Sequence, residues 1–186
     1  MIISFSGAQG SGKSTIAKRL AEKLKIPRYY MGALRREAAQ KKGLTLAEYN
    51  KLGEEDPQTD FEVDEYQRQL GKKQDNFIIE GRTSWYFIPH SLKIYLDVAP
   101  EVGAKRIFTS LQKENNRNED KGLETWKDVL ESNKRRQESD RLRYQKYYNI
   151  DVNDPNHYDF YLDTTNLNVD QVYDKVERFV LSKNKK

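Results

Sequence analysis

The sequence predicts a three-layer α/β fold, with a parallel sheet of about five strands between two layers of helices. Short apolar runs at 1–6, 26–31, 75–82, 91–98 and 158–163 alternate with longer segments that have helical spacing. Strands separated by helices pair in parallel, because each crossover returns the chain to the same end of the sheet. The 186 residues, 36% of them hydrophobic, suffice for one core with inserted segments.

The first strand leads into a glycine-rich loop and then into a helix with apolar residues at 16, 17, 20, 21 and 24. The loop is Gly7, Ala8, Gln9, Gly10, Ser11, Gly12, Lys13, Ser14 and Thr15. Its spacing is that of a phosphate-binding P-loop, in which Lys13 reaches the β and γ phosphates of ATP and Ser14 holds Mg²⁺. A glycine-rich turn with an exposed lysine is the alternative, which the flanking strand and helix disfavour.

A helical insertion follows the second strand. Residues 33–42 are helical up to Gly43, and Thr45 and Glu48 have capping-box spacing. Asp56 and Pro57 predict the cap and first residue of a further helix. The sequence therefore predicts three helices within 33–73.

The remaining elements return the chain to the sheet. The strand over 75–82 ends in Glu80, Gly81 and Arg82, and ligands in such sheets lie beyond the carboxyl ends of strands. The later segments are a strand at 91–98, a helix at 100–111, a mobile loop at 112–122, a helix at 123–148, a strand at 158–163 and a helix after the Asn168 cap.

The amino-acid composition excludes several classes of protein. The chain has no cysteine, which excludes disulfides and thiolate chemistry, and no apolar run long enough to span a bilayer. We expect a cytoplasmic protein with no membrane partner. The net charge of +4 is dispersed along the chain, so it permits nucleic-acid binding without requiring it.

Arginines predict a second anion site. They occur at 35, 36, 82, 106, 117, 135, 136, 141 and 143, near strand ends and in the loop region. Arg136, Asp140 and Arg143 lie at i, i+4 and i+7, on one face of a helix. Spacing alone leaves two interpretations open: a phosphate-binding triplet, or a salt-bridged, solvated surface.

The chain resembles the cytidylate kinases of the archaeal type, within the nucleoside-monophosphate kinase family. The resemblance covers nearly the whole length and is carried by residues 7–15, 53–57, 80–82, 136–144, 148–151 and 158–165. The P-loop is common to many families, whereas this combination of stretches is much more specific.

The resemblance implies roles for individual residues. ATP would bind residues 7–15 and Arg106, while Lys13 stabilises the transferred group and Glu80 acts with Ser14 on the metal. The acceptor would bind to an insertion at 33–73. Arg36 of the insertion and Arg82 after the third strand would contact its phosphate, and Asp64 is a candidate for contact with the base or ribose. Residues 112–144 would form a lid that carries Arg136, Asp140 and Arg143, and 1–32, 74–111 and 145–186 would form the core.

Two positions depart from the pattern of this group. Ser110 stands four residues after Arg106, at a position where a second arginine is common. Lys113 and Arg117 are candidates to replace that missing arginine. Ala33 stands where an acidic residue is expected, which bears on recognition of the base.

The implied activity is transfer of the γ-phosphoryl group from MgATP to CMP, and to dCMP, by a monomer that needs no nucleic acid. One alternative keeps the fold and changes the acceptor to another monophosphate or a small metabolite. The other alternative is a non-catalytic module that uses ATP as a switch while binding RNA.

Overall fold

The computed structural model describes residues 1–113, 120 and 122–183. Its sheet has five strands: β1 (Ile2–Gly7), β2 (Arg28–Tyr30), β3 (Phe77–Glu80), β4 (Leu92–Asp97) and β5 (Phe160–Asp163). The spatial order is β2-β3-β1-β4-β5, and every neighbouring pair is parallel. The predicted fold class and strand number are confirmed. All five carboxyl ends therefore meet at one edge of the sheet.

Eight α-helices connect or follow these strands in the described part of the chain. They are α1 (Lys13–Leu24), α2 (Met31–Lys41), α3 (Leu46–Gly53), α4 (Gln58–Lys73), α5 (Ser84–Phe87), α6 (Pro100–Leu111), α7 (Trp126–Tyr148) and α8 (Val169–Lys183). The sequence did not predict α5 or the 3₁₀ turn at Pro155–His157, because each is a single turn, too short for periodicity to show. Most of the predicted loop at 112–122 lies outside the described residues.

Two apolar layers hold the sheet. On one face, Phe5 of β1 packs with Leu20 of α1 and Val176 of α8, all with 0% exposure. On the other face, Ile79 of β3 packs with Leu70 of α4. Burial of these side chains on both faces explains why the strands read as apolar runs rather than as alternating patterns.

The three predicted helices of the insertion are α2, α3 and α4. Thr45 and Glu48 form the predicted capping box at the start of α3. Helix α4 begins at Gln58, one residue later than predicted. Pro57 occupies the cap position, and the Asp56 carboxylate accepts a hydrogen bond from the Gln58 N–H at 2.9 Å.

Helix α7 contacts both the core and the insertion. Near its start, Val129 packs against Ala104 and Ile107 of α6. Towards its end, the Ser139 hydroxyl donates to the Asn50 carbonyl at 3.2 Å, and the Tyr147 hydroxyl donates to the Gly53 carbonyl at 2.9 Å. One 23-residue helix thus spans the opening between the sheet edge and the insertion. Among the described helices, none has the length and apolar character needed to cross a bilayer.

Candidate active site

A cleft of about 1290 Å³ lies at the carboxyl edge of the sheet. The P-loop, the three inserted helices and α7 line it, so one cavity joins the two predicted anion sites. Its lining includes most of the residues predicted for these sites: Gln9, Gly10, Ser11, Gly12, Lys13, Ser14, Thr15, Arg36, Asp64, Glu80, Arg82, Arg106, Arg136 and Asp140.

The glycines of the P-loop allow a backbone that other residues would strain. Gly10 and Gly12 have φ of 80° and 88°, in the left-handed region. A Cβ on Gly10 would lie 2.3 Å from the Gly103 carbonyl oxygen, whereas a Cβ on Gly12 would meet nothing within 4 Å. The loop therefore packs its back tightly against α6 and leaves open space at the start of α1. Backbone N–H groups at such a helix start favour an anion.

Lys13 lies over this loop. Its ammonium donates to the carbonyls of Gly7 at 2.8 Å and Ala8 at 2.6 Å. The Gln9 side chain accepts a hydrogen bond from Gln137 of α7 at 3.1 Å. The loop and α7 are therefore in direct contact across the cleft.

Glu80 ends β3 beside Ser14. The carboxyl group is 2% exposed, and Arg28 donates to its Oε1 at 2.7 Å. Its Oε2 is buried and accepts no hydrogen bond from the described residues. Burial raises the pKa of Glu80, although the Ser14 hydroxyl and the charge of Arg28 oppose the rise. A buried carboxylate oxygen with spare lone pairs suits a hydrated divalent cation.

Five alternating charges form a network along the acceptor side of the cleft. Asp60 accepts from Arg35 at 2.5 Å and from Arg143 at 2.6 Å to each carboxylate oxygen. Asp140 pairs with both Arg143 and Arg82. Three guanidinium groups thus meet at two buried carboxylates in this network. Guanidinium groups that line a cleft are suited to planar, bidentate contacts with phosphate.

The members of the predicted lid triplet differ in position. Arg136 and Asp140 line the cleft, but Arg143 is 0% exposed and lies outside the lining. The triplet is therefore not a solvated surface, since Asp140 and Arg143 are both buried. The Arg143 guanidinium faces the carboxylates of Asp60 and Asp140 rather than the cleft. Direct contact between Arg143 and phosphate therefore stays a prediction.

Arg36 points into the same region. Its Nη1 donates to the Tyr30 hydroxyl at 2.8 Å and to the Gly32 carbonyl at 3.0 Å. These contacts fix the side chain at the start of α2, on the cleft side.

Asp64 is buried, with 4% exposure, one turn after Asp60 in α4. It accepts hydrogen bonds from the Tyr148 hydroxyl and from Gln67 Nε2, the latter at 3.3 Å. Desolvation raises the pKa of Asp64 to about 6, against the lowering effect of the Tyr148 hydrogen bond.

Arg106 lies at the other end of the cleft. Its Nη2 donates to the carbonyls of Thr164 at 2.9 Å and Leu167 at 3.3 Å, in the segment between β5 and α8. These carbonyls hold the planar guanidinium as a wall of the cleft. Ser110 lines the cleft as well, and Arg117 lies outside the described residues.

Sequence reasoning named Arg35 among the arginines of the second anion site, but it assigned no site role to several other residues that build the site: Arg28, Asp60, Gln67, Thr83, Tyr148 and Thr164. The i, i+4 spacing of Asp60 and Asp64 on α4 was a usable signal, because it places both carboxylates on one helix face. The pairings of Arg28 with Glu80 and of Arg35 with Asp60 had no local signal, since their partners lie far along the chain.

The described residues contain no group of three or more histidine, cysteine, aspartate or glutamate side chains that could enclose a metal ion. A cation here would be held by few protein ligands. That arrangement is usual for Mg²⁺, which keeps several waters and binds phosphate oxygens.

Comparisons with known proteins give one consistent family. A model described as the cytidylate kinase-like family matches residues 2–166. The chain is 38% identical over 182 residues to the cytidylate kinase of Natronomonas pharaonis, covering 97% of this chain and 89% of that protein. It is 32% identical over 181 residues to the cytidylate kinase of Archaeoglobus fulgidus, covering 97% and 94%.

Solved structures match in fold. A protein of Eubacterium ventriosum superposes with a TM-score of 0.70 at 19% identity, covering 98% of this chain and 99% of that one. Shikimate kinase from Bacteroides thetaiotaomicron gives a TM-score of 0.60 at 16% identity, with 96% of each chain covered. At these identities the likeness concerns the fold alone.

Proposed function

Because this chain belongs to the cytidylate kinase-like family, we propose that it transfers the γ-phosphoryl group of ATP to CMP, and to dCMP, giving the diphosphate and ADP. One observation carries the proposal beyond family membership. The P-loop and two arginines of the ion-pair network, Arg35 and Arg82, line the same cleft. Transfer between two anions requires such a pair of sites.

The donor side uses the P-loop and Arg106. Residues 7–15 would hold the phosphates of ATP through backbone N–H groups, and the Arg106 plane would contact the rest of the nucleotide. On ligand binding, Lys13 would exchange its two loop carbonyls for phosphate oxygens, because a charge-assisted bond to phosphate is the stronger interaction.

Ser14 and Glu80 would hold Mg²⁺, which neutralises charge on the phosphates when bound. Ser14 would supply a hydroxyl ligand, and the buried Oε2 of Glu80, which accepts no hydrogen bond from the described residues, would help to hold the hydrated ion. Arg28 keeps the other carboxylate oxygen in place.

The acceptor side uses arginines from three segments. Arg36, Arg82 and Arg136 would contact the acceptor phosphate, while Arg143 acts through Asp140 and Asp60 as a positioning residue. These groups align the two phosphates and stabilise the charge that spreads over the transferred group. No side chain needs to become phosphorylated.

We further propose the domain roles implied by the resemblance, with 33–73 as the monophosphate-binding insertion and 112–144 as the lid. The contacts of Ser139 and Tyr147 with α3 support one refinement. The second half of α7 moves with the insertion, and closure of the two parts excludes water from the reaction. A monomeric, cytoplasmic enzyme without a nucleic-acid or membrane partner completes the proposal.

The test is ADP formation from ATP with CMP, dCMP, UMP, AMP, GMP and shikimate as separate acceptors. CMP should give the highest kcat/KM, with dCMP next, and no ADP should form above background when the acceptor is omitted. Faster use of another acceptor, or salt-dependent RNA binding without transfer to any acceptor, would replace the proposal by one of the two alternatives.

A further inference from the structure

Tyr30 ends β2 and contacts an arginine of the proposed acceptor site. Its hydroxyl accepts a hydrogen bond from Arg36 Nη1 at 2.8 Å, and the centre of its ring lies 5.7 Å from the guanidinium carbon of Arg36. Tyr30 and Arg36 both line the cleft. Sequence reasoning assigned Tyr30 to a strand and to no role in the site, because its contact with Arg36 depends on how β2 leads into α2.

Gly32 leaves the space that the Tyr30 ring occupies. A Cβ on Gly32 would lie 2.7 Å from Cε2 and 2.8 Å from Cζ of this ring. Gly32 lies in the first turn of α2, where alanine would be the more favourable residue for a helix, so close packing of the ring explains the glycine. The Gly32 carbonyl accepts a second hydrogen bond from Arg36 Nη1 at 3.0 Å. One guanidinium nitrogen is therefore held by two acceptors.

Strand pairing fixes where Tyr30 holds Arg36. Tyr30 is the register partner of Glu80, so its backbone is anchored in the sheet beside the proposed metal site. Successive side chains of a strand point to opposite faces. The Tyr29 hydroxyl accordingly donates elsewhere, to Gln74 Oε1 at 3.1 Å. Of these two adjacent tyrosines, Tyr30 contacts the proposed acceptor site and Tyr29 contacts the end of α4.

We propose that Tyr30 is a positioning residue for phosphoryl transfer, which holds the Arg36 guanidinium in the orientation that binds the acceptor phosphate. This inference rests on the proposed function, because it requires a nucleoside monophosphate in the cleft. A guanidinium forms paired hydrogen bonds to phosphate only when its plane is aligned with the phosphate oxygens. An arginine without the Tyr30 contact would lose more side-chain freedom on binding, which weakens affinity for the acceptor.

The experiment separates the Tyr30 hydroxyl from the Tyr30 ring. Tyr30→Phe removes the hydroxyl and keeps the ring, whereas Gly32→Ala displaces the ring and keeps the hydroxyl. Tyr29→Phe, which removes the hydroxyl of the adjacent tyrosine, is the control. Steady-state rates give kcat and the KM values for CMP and ATP, and titration calorimetry gives the Kd for CMP. Thermal unfolding verifies that each variant folds.

A further pair of variants tests whether Tyr30 acts through Arg36. Arg36→Met removes the guanidinium, and the double variant combines Arg36→Met with Tyr30→Phe. The effect of Tyr30→Phe is then compared in the presence and in the absence of the guanidinium.

Tyr30→Phe should raise the KM and the Kd for CMP by about tenfold, because a hydrogen bond to a charged group is lost, and leave the KM for ATP near the parent value. Gly32→Ala should shift the CMP constants in the same direction, and Tyr29→Phe should retain the parent values. Arg36→Met should raise the KM for CMP more than Tyr30→Phe does. Adding Tyr30→Phe to Arg36→Met should cause little further rise, because no guanidinium remains to be positioned. If Tyr30→Phe or Gly32→Ala does not fold, the other variant decides the outcome.

Parent-like constants for CMP in the folded Tyr30→Phe variant would overturn the inference. Equal rises in the KM for CMP and the KM for ATP would also overturn it, since a general distortion of the fold would have that effect. An undiminished effect of Tyr30→Phe in the Arg36→Met background would overturn it as well, because Tyr30 would then contact the acceptor directly. Failure of the proposed function is distinguishable, since the parent itself would then form no ADP with CMP.

Discussion

The donor and acceptor sides of the cleft are built in different ways. The proposed donor loop is contiguous, since residues 7–15 and the start of α1 would form the anion site from their own backbone. The acceptor side joins Arg35, Asp60, Arg82, Asp140 and Arg143 from four elements, with sequence separations up to 83 residues. Backbone geometry therefore supports one side, and buried ion pairs support the other. The two sides should respond differently to substitution.

Removal of the Lys13 charge should give the largest effect. Lys13→Ala removes a cation from the proposed donor site and leaves the ion pairs of Asp60 and Asp140 in place, so kcat should fall by about a thousandfold at nearly unchanged stability. The measurement is ADP formation with saturating CMP, together with thermal unfolding. Lys18→Ala, an exposed lysine of the same helix, is the control and should retain the parent rate. Comparable rates for both variants would remove Lys13 from the site.

Loss of a network carboxylate should act on stability and on the acceptor together. Asp60→Asn leaves the fully buried Arg143 without its two bonds of 2.6 Å to a charged partner, which should cost about 3–5 kcal/mol in the free energy of unfolding. Urea unfolding measures this cost. In the folded variant the KM for CMP should rise much more than the KM for ATP. Equal changes in both KM values would show that the two sides do not differ as described.

The pKa of Asp64 predicts how stability depends on pH. Its rise from 3.8 to about 6 means that the folded state holds a proton that the unfolded state has lost, so stability falls as pH increases from about 4 to 6. The penalty reaches about 3 kcal/mol at neutral pH, at about 1.4 kcal/mol per pH unit. Asp64→Asn should therefore gain stability relative to the parent between pH 4 and pH 7.

Urea unfolding of the parent and Asp64→Asn at several pH values tests this prediction, with Glu62→Gln as the control. A difference in unfolding free energy that stays constant with pH would mean that Asp64 is ionised in the folded state throughout this range.

The smallest predicted effect concerns the stability of the donor loop. Two glycine variants distinguish the cost of backbone strain from the cost of close packing. Gly10→Ala places a Cβ 2.3 Å from the Gly103 carbonyl at a φ of 80°, so the loop must move, and we expect a loss of about 1–3 kcal/mol and a higher KM for ATP. Gly43→Ala, at a φ of 70° with nothing within 4 Å of the Cβ, carries only the conformational cost of about 1 kcal/mol. An identical loss in both variants would mean that the close approach to α6 is unimportant.

The fold of the proposed donor loop could be predicted almost completely because its signal is local. The spacing of Gly7, Gly12, Lys13 and Ser14 identified the loop, and the flanking apolar runs identified the strand and helix that the structure contains. On the acceptor side, the resemblance supplied Arg36, Arg82 and Asp140, and all three line the cleft. Asp60 and Arg28 were missed because each matters through a partner that is distant in sequence.

The sequence by itself determined the order of strands and helices, the position of the P-loop and the family, since each depends on short-range spacing or on whole-chain similarity. Only the tertiary structure decided which charges meet. The spacing of Arg136, Asp140 and Arg143 was compatible with a solvated surface, and packing of α7 against the insertion buried Asp140 and Arg143. The ion-pair partner and the exposure of a charged side chain depend on the elements that pack against it. The residues next to it in the sequence determine neither property.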